Sequence, residues 1–333
     1  NLMKKILLFA GVSLMTKINA QVLESNNFDA LTVGNLGTQG GFATSGGVAT
    51  DYQIVSIDGA HGNSLQITGA AAATGTRYAY VTSGLATPWT NRTAGNNVLK
   101  VQTEFYTGAQ AGTGAGALRS LCYDAAFTPI AGIVYDYPTK TIKGYARLSL
   151  NGGAAANYVF TLGTQTYEAN TWIPVSYTYD FATGTISWTY PGGTYYVKSG
   201  VSGTSTFAML PNVNPDEHDF ISGVATGNTI AHVSAVDSYS ASAVSTDGLN
   251  LSAQSATLSK AEVSIYPNPT ADFLTIKSSD KLKSVKIFDA TGKKAADAKM
   301  NNNIVDVRNL TKGVYVLAIE TDKDVQTLKF IKK

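Results

Sequence analysis

The stretch Trp172-Ile173-Pro174-Val175-Ser176-Tyr177-Thr178-Tyr179-Asp180-Phe181-Ala182-Thr183-Gly184-Thr185-Ile186-Ser187-Trp188-Thr189-Tyr190 decides the fold class. In an extended chain, successive side chains point to opposite faces. Val175, Tyr177 and Tyr179 therefore share one face of a first strand, with Ser176 and Thr178 on the other. Asp180-Phe181-Ala182-Thr183-Gly184 makes a turn. Ile186, Trp188 and Tyr190 then continue the apolar face against Ser187 and Thr189. Cross-strand aromatic pairs of this kind stabilise a sheet by about 0.2–1 kcal/mol each.

The same alternation recurs on both sides of this hairpin. Ser64–Thr68, Val98–Gln102, Tyr145–Leu150 and Tyr158–Leu162 alternate between turn signals. From Gln21 to about Ser245 no apolar period of a helix appears, and Gly, Thr, Ser, Asn and Tyr dominate. Many short strands with Gly-rich turns predict an all-β sandwich. A segment this long suits a large jelly-roll β-sandwich better than a small immunoglobulin module.

Composition narrows the function. The 333 residues are 44% hydrophobic and 14% charged, with a formal net charge of +2. The length predicts about two domains with real cores. The low charge argues against a disordered tail, a coiled coil and a basic nucleic-acid binder. One cysteine excludes a disulfide framework and a Cys-based zinc site, and Cys122 reads as a buried core thiol. The net charge averages unlike segments: residues 21–259 carry 8 basic and 14 acidic side chains, and residues 260–333 carry 14 and 9. That break marks a domain boundary, with residues 246–260 as a linker between a cargo domain over 21–245 and a tail domain over 261–333.

Lys4 and Lys5 precede the apolar run Ile6–Met15, and Ile18-Asn19-Ala20 then precedes Gln21. This is the pattern of a secretory signal peptide over residues 1–20, with Met3 as the start. The run is too short to span a bilayer, so no transmembrane segment is expected.

The hairpin resembles those of concanavalin A-like jelly rolls and their laminin G relatives. It shares Trp172-Ile173-Pro174-Val175 leading to Asp180, then Thr183-Gly184 and an aromatic strand. Asn27–Leu36 looks like the first strand of such domains in secreted Bacteroidetes proteins, and Ala235–Tyr239 like their closing strand. The resemblance implies binding or cleavage of glycans, and the fold alone does not choose between them.

Glycoside hydrolysis needs two carboxylates across the scissile bond. Residues 21–259 have only Glu24, Glu104, Glu168 and Glu217, none in the same-face triplet expected on one strand. A lyase needs a base and a cation. Tyr195-Tyr196-Val197-Lys198-Ser199-Gly200 faintly resembles one strand of jelly-roll alginate lyases, but that family's partner motifs are absent. Arg119, Arg147, His61 and His232 are scattered along the chain. The expectation is therefore a binding protein rather than an enzyme, with a polysaccharide lyase or hydrolase of atypical site, or a structural surface protein, as alternatives.

Sugar rings stack on exposed aromatic faces. Trp89, with Asn91 and Arg92 in a polar loop, and Tyr195 with Lys198 are the candidate ligand contacts, whereas Trp172 and Trp188 read as core. Asp216-Glu217-His218-Asp219 is the densest acidic cluster of the middle segment. A loop holding Asn214, Asp216 and Asp219 offers oxygen ligands of the kind Ca²⁺ takes.

The tail is more specific. Tyr266-Pro267-Asn268-Pro269, Val285–Lys293 with Gly292, Leu310–Leu317 with Gly313 and Tyr315, and the final Lys329-Phe330-Ile331-Lys332-Lys333 occur in that order. Short strands over 263–265, 273–276, 285–288, 304–307, 314–319 and 327–331 predict a small immunoglobulin-like β-sandwich. Pro267 and Pro269 read as an extended lead-in, and Gly292 and Gly313 as tight turns. The motifs resemble the type A C-terminal sorting domain of the type IX secretion system. That resemblance implies the secretion machinery and its sortase as partners, and a product released or attached at the outer-membrane surface. A glycan or other cell-surface ligand is the partner expected of the cargo, and nucleic acid is not.

Overall fold

The computed structural model describes residues 20–109, 114–245, 254–255, 257–258, 264–278, 281–289, 294–297, 300–301, 303–321 and 325–333. All but the last residue of the expected signal peptide, Gly292 and most of the segment 246–260 lie outside the described residues. The chain divides into two compact units between Leu258 and Ser259.

The hairpin of the first unit forms as its alternation dictates. Trp172–Asp180 pairs antiparallel with Ile186–Tyr190, with Tyr177 opposite Trp188. Tyr177, Tyr179, Ile186 and Trp188 are at most 1% exposed. The Trp188 indole N–H donates to the Gly132 carbonyl of the opposite sheet at 2.7 Å. Gly144 lies directly beneath it: a Cβ there would come within 2.5 Å of the indole.

Two sheets close over that core, each of ten strands among the described residues. The first sheet runs Gln254–Ser255, Gly193–Val197, Ile186–Tyr190, Trp172–Asp180, Val98–Tyr106, Val233–Val244, Asn63–Thr68, Tyr52–Ser56, Gly34–Asn35, with Gln21–Asn26 also on Val233–Val244. The second runs Gly200–Ser202, Ser205–Met209, Thr141–Leu150, Pro129–Asp136, Gly116–Tyr123, Glu217–Val224, Arg77–Tyr80, Ala43–Ser45, with Ala156–Thr166 beside Thr141–Leu150 and Thr257–Leu258 beside Ala156–Thr166. One apolar cluster that includes Tyr52, Phe105, Cys122, Tyr135, Phe160, Tyr177, Trp188 and Phe220 fills the space between them. At about 25 cal/mol per Å² of apolar surface, this burial is the main stabilising term.

Three expectations change. The first strand is Gln21–Asn26, and only Gly34–Asn35 of the stretch 27–36 is extended. The Asn26 side-chain oxygen accepts the Phe28 N–H at 2.7 Å, and Phe28 has φ 59°, so the chain turns there. Asp216-Glu217-His218-Asp219 is not a loop: Glu217–Val224 is a strand inside the second sheet. Gln254–Ser255 and Thr257–Leu258, read as linker, add to Gly193–Val197 and Ala156–Thr166 of the two sheets.

The second unit has two four-stranded sheets among the described residues. One holds Ser264–Tyr266, Phe273–Lys277, Ile304–Asp306 and Met300–Asn301, and the other Lys294–Asp297, Leu282–Asp289, Gly313–Thr321 and Val325–Lys332. Leu274, Ile276, Val285, Ile287, Val305, Val307, Tyr315, Leu317, Ile319 and Phe330 form its core. The quoted motifs meet in space. The Asn268 side-chain oxygen accepts the Ile331 N–H at 3.0 Å, Thr270 exchanges backbone bonds with Ile331 and Lys333, and the Tyr315 and Phe330 rings stack at 5.5 Å. Two details differ from expectation. The bonds before Pro267 and Pro269 are cis and residues 267–269 bend rather than extend. Gly313 opens a strand with ordinary φ, where a Cβ meets only Tyr315 at 3.7 Å, so no turn requires it. Lys329 pairs with Val316 in the last strand.

Candidate functional site

Side chains that point away from the core between the sheets are free to meet a ligand. On the second sheet, Glu217, Asp219, Ile221 and Gly223 alternate with the inward His218, Phe220 and Ser222. Cross-strand pairing sets them beside Tyr123, Leu121 and Arg119 on one side and Tyr80 and Tyr78 on the other. Beyond Gly116–Tyr123, the pairs Leu121–Gly132 and Gly132–Tyr145 carry the outward row to Tyr145, with Arg147 two residues further on the same face.

These outward residues make a hollow rather than a plain polar surface. Leu121, Tyr123 and Ile221 are at most 5% exposed although they face out, and Tyr78 and Tyr145 pack against them. Phe127 stacks on Tyr123 at 4.3 Å and 4° and stays 53% exposed. Its φ is 57°, a left-handed conformation uncommon for an aromatic residue. The Asp124 carboxylate holds that turn by accepting the Ala126 and Thr128 N–H groups, each at 2.9 Å. Asp124, Pro129 and Arg147 also line a small adjoining cavity of about 50 Å³.

Arg119 is the charged centre of this face. Its half-buried guanidinium lies over Gly223, where a Cβ would come within 2.8 Å of Cζ. Among the described residues no hydrogen bond or ion pair holds it. By contrast, Arg147 donates to Asn157 and Lys143 pairs with Asp136 at 3.1 Å. Burial pushes the Tyr145 hydroxyl up in pKa even though Arg119 and Arg147 pull it down. Burial also raises Tyr123, with Asp219 adding to the effect and Arg119 opposing it.

At one end of the face three carboxyls gather. Asp219 is pushed up to about 8, first by burial, then by the neighbouring Glu217 and by Glu24. Glu24 is pushed up to about 7 by burial and by Glu217, with Tyr239 opposing. Glu217 accepts the Ser83 N–H at 3.0 Å. Asp219 is 0% exposed and Glu217 9%, so neither meets solvent as a reacting acid would.

The residues expected to bind ligand mostly serve the framework. Trp89 sits in the short helix Ala86–Thr90 and is 0% exposed, so it offers no stacking face. Arg92 covers its ring at 4.1 Å and donates to the Trp89 carbonyl and to Asn97. Asn91 is exposed at the end of that helix. Tyr195 packs against the core. Lys198 is exposed, lies 5.7 Å from the Tyr196 ring, and with it lines a pocket of about 120 Å³. The expected calcium ligands do not converge: Asn214 accepts the Trp89 indole N–H, Asp216 accepts the Ser83 hydroxyl, and Asp219 points to the outward hollow. No group of three Asp, Glu, His or Cys side chains placed to hold a metal occurs among the described residues.

Sequence reading missed Tyr78, Tyr123, Phe127 and Tyr145 as a group, and left Arg119 and Arg147 scattered. The only signal was the alternation itself, which places Tyr145 and Arg147 on one face. The pairing of distant strands brings the rest together. Trp172 also differs from expectation. It is partly exposed on the outward face of the first sheet, whereas Trp188 is core as expected.

Residues 264–333 match the family described as the secretion system C-terminal sorting domain. The tail is a sorting domain. The protein is accordingly one exported through a type IX-type system and secreted or attached at the cell surface. No helix among the described residues is long and apolar enough to cross a membrane.

No curated protein sequence matches the chain. Among solved structures, an endo-1,3-beta-glucanase from Streptomyces sioyaensis is similar over 68% of this chain and 97% of its own, at 13% identity and a TM-score of 0.46. Alginate lyase vAL-1 from Chlorella virus is similar over 63% of this chain and 98% of its own, at 12% identity and a TM-score of 0.38. A sialidase is similar over 68% of this chain but 19% of its own length, at 12% identity and a TM-score of 0.36.

Proposed function

We propose that the first unit is a concanavalin A-like jelly roll that binds an anionic extracellular glycan in the outward hollow of its second sheet, without catalysis. The sorting domain, in this reading an immunoglobulin-like sandwich, delivers it to the surface after the signal peptide is removed and is then cut off by the sortase. One observation carries the binding reading: Arg119, a half-buried guanidinium with no partner among the described residues, stands amid Tyr78, Tyr123 and Tyr145. A buried or half-buried cation without a counter-ion is costly, and a guanidinium matches a carboxylate or sulfate with two parallel hydrogen bonds. Tyr78, Tyr145 and Phe127 supply ring faces for sugar stacking, and the left-handed backbone at Phe127 is the kind of local strain found at binding sites.

The same groups argue against an enzyme. A lyase at neutral pH needs a tyrosine or histidine that gives up its proton readily. Tyr145 and Tyr123 are shifted the opposite way, and His218 faces inward, bonded to Ser120 at 2.7 Å. A retaining hydrolase needs two accessible carboxyls, and Asp219 is closed off from solvent.

The test is a glycan panel of uronate, sulfated and neutral polysaccharides run on the purified protein, with turnover measured in parallel. Binding of acidic members that Arg119→Ala removes is the expected outcome. Preference for neutral glycans, or release of unsaturated or reducing ends, overturns the reading.

A further inference from the structure

The outward face of the first sheet holds a second cluster, with the opposite charge. Trp172 lies opposite Tyr106 in the pairing of Trp172–Asp180 with Val98–Tyr106, and their rings are 5.0 Å apart. The loop between Tyr52–Ser56 and Asn63–Thr68 arches over this face and stacks His61 on Trp172 at 4.2 Å and 19°. Each ring is tied by its polar atom. The Trp172 indole N–H donates to Asp58 at 2.9 Å, the Tyr106 hydroxyl to Asn170 at 3.0 Å, and His61 Nδ1 lies 2.8 Å from the other Asp58 oxygen. That oxygen also accepts the Ala60 and His61 backbone N–H groups. The rings are therefore fixed before any ligand arrives, which removes an ordering cost from binding.

Negative charge surrounds these rings. Glu104, on the same face as Tyr106, accepts no hydrogen bond among the described residues, and the His61 Nε2 lies 3.8 Å from it. Directly across the strands stands Asp237, 2% exposed, already bonded to Ser64 and the Ser238 N–H. Two charged carboxylates opposite each other destabilise a sheet, and burial raises the pKa of Asp237, so the exposed charge of the pair is that of Glu104. Asp58 adds a third carboxyl, and His61 is the only basic side chain among the cluster's contacts. Gln66, Gln102 and Ser176 extend the same face with amides and a hydroxyl, which suits the hydroxyl groups of a sugar.

We propose that this face is a second binding site, for a glycan bearing a free amine. The ammonium group pairs with Glu104 and meets the Tyr106–Trp172 rings, which attract cations through their π faces, and the amides beyond read neighbouring hydroxyls. The site is separate from the hollow of the second sheet and takes ligands of opposite charge.

Trp89 and Trp188 are fully buried, so Trp172 is the tryptophan whose emission reports on this face. The experiment titrates the full secreted protein with glucosamine oligomers, their N-acetylated forms, neutral gluco-oligomers, a lysine-rich peptide and calcium chloride. The expected result is a saturable emission change with the glucosamine oligomer. Affinity should be at least tenfold weaker for the acetylated and neutral oligomers, and Glu104→Gln should weaken the amine-bearing oligomer about tenfold. An equal response to the acetylated oligomer overturns the proposal. So does a response to calcium alone, or a peptide that binds more tightly than the oligomer. If Glu104→Gln does not fold, the acetylated-to-free ratio on the unaltered protein decides: ten or more sustains the site, and a ratio near one removes it.

Discussion

The two outward faces of the sandwich start from the same rule and reach opposite chemistry. On the second sheet, alternation places large apolar side chains outward, so Leu121, Ile221 and Tyr123 are sealed by Tyr78, Tyr145 and Phe127. The charge left unpaired there is a cation, Arg119. On the first sheet the outward residues are more polar, and the aromatic rings stand on the surface, held by hydrogen bonds to Asp58 and Asn170 in two loops. Beside the Tyr106 and Trp172 rings, the charge without a hydrogen bond is an anion, Glu104. The comparison teaches that one framework presents two outward faces of opposite chemistry, because each face is built from different strands and different loops.

Several changes would sharpen or break that comparison. The largest effect belongs to the interior that both faces share. Trp188→Ala removes a fully buried indole and its bond to Gly132, and should cost about 3–5 kcal/mol in denaturant unfolding of the first unit. Trp172→Ala should cost about 1 kcal/mol or less, because that ring is partly exposed. Equal losses would mean that Trp172 is core after all.

Next comes Arg119→Ala, which removes a charge-assisted pair worth about 1.5–3 kcal/mol. Affinity for acidic glycans in calorimetry should fall about 10- to 100-fold. An equal fall for neutral glycans would show that the hollow does not read charge.

The third concerns pH. Asp219 has a folded pKa pushed up to about 8 from an ordinary 3.8, so the fold keeps a proton that the unfolded chain gives up. Its contribution is fully present below about pH 4 and is lost as pH rises towards 8. Glu24, pushed up to about 7, acts in the same direction. Asp219→Asn should therefore stabilise the protein more at pH 8.5 than at pH 5 in thermal melts, while the first-sheet cluster, remote from it in the topology, keeps its Trp172 emission. A larger gain at pH 5 would contradict the buried carboxyl arrangement.

The smallest effect is at Phe127. Phe127→Gly relieves a left-handed backbone and should leave melting unchanged or raise it slightly. Loss of a ring contact worth about 0.5–1.5 kcal/mol should weaken glycan binding a few-fold. A clear drop in melting temperature would make Phe127 a structural residue only.

Much of the fold was legible because alternation is local. Val175, Tyr177, Tyr179, Ile186 and Trp188 could be placed on one buried face from their spacing alone, and the strands at 64–68, 98–102, 145–150 and 158–162 lie within those observed. The sorting domain was legible for a different reason: its four motifs stand in order within one short segment. Misreadings came where chemistry competed with pattern. Asp216–Asp219 looked like a solvated acidic loop, but a strand begins at Glu217, and burial raises the Asp219 pKa so that its carboxyl can sit inside the sheet. Trp89 looked exposed beside Pro88, but Arg92 and Phe181 close over it.

By itself, then, the sequence determined an all-β chain, the inward faces of its strands, and the address at its C-terminus, since each depends on residues close together in the chain. Only the tertiary structure decided which outward residues meet. Arg119 comes from one strand, Tyr145 from another and Tyr78 from a third. His61 reaches Trp172 across 111 positions of sequence. Strand order and register set those meetings through long-range pairing, and no local period records which strand will lie beside which.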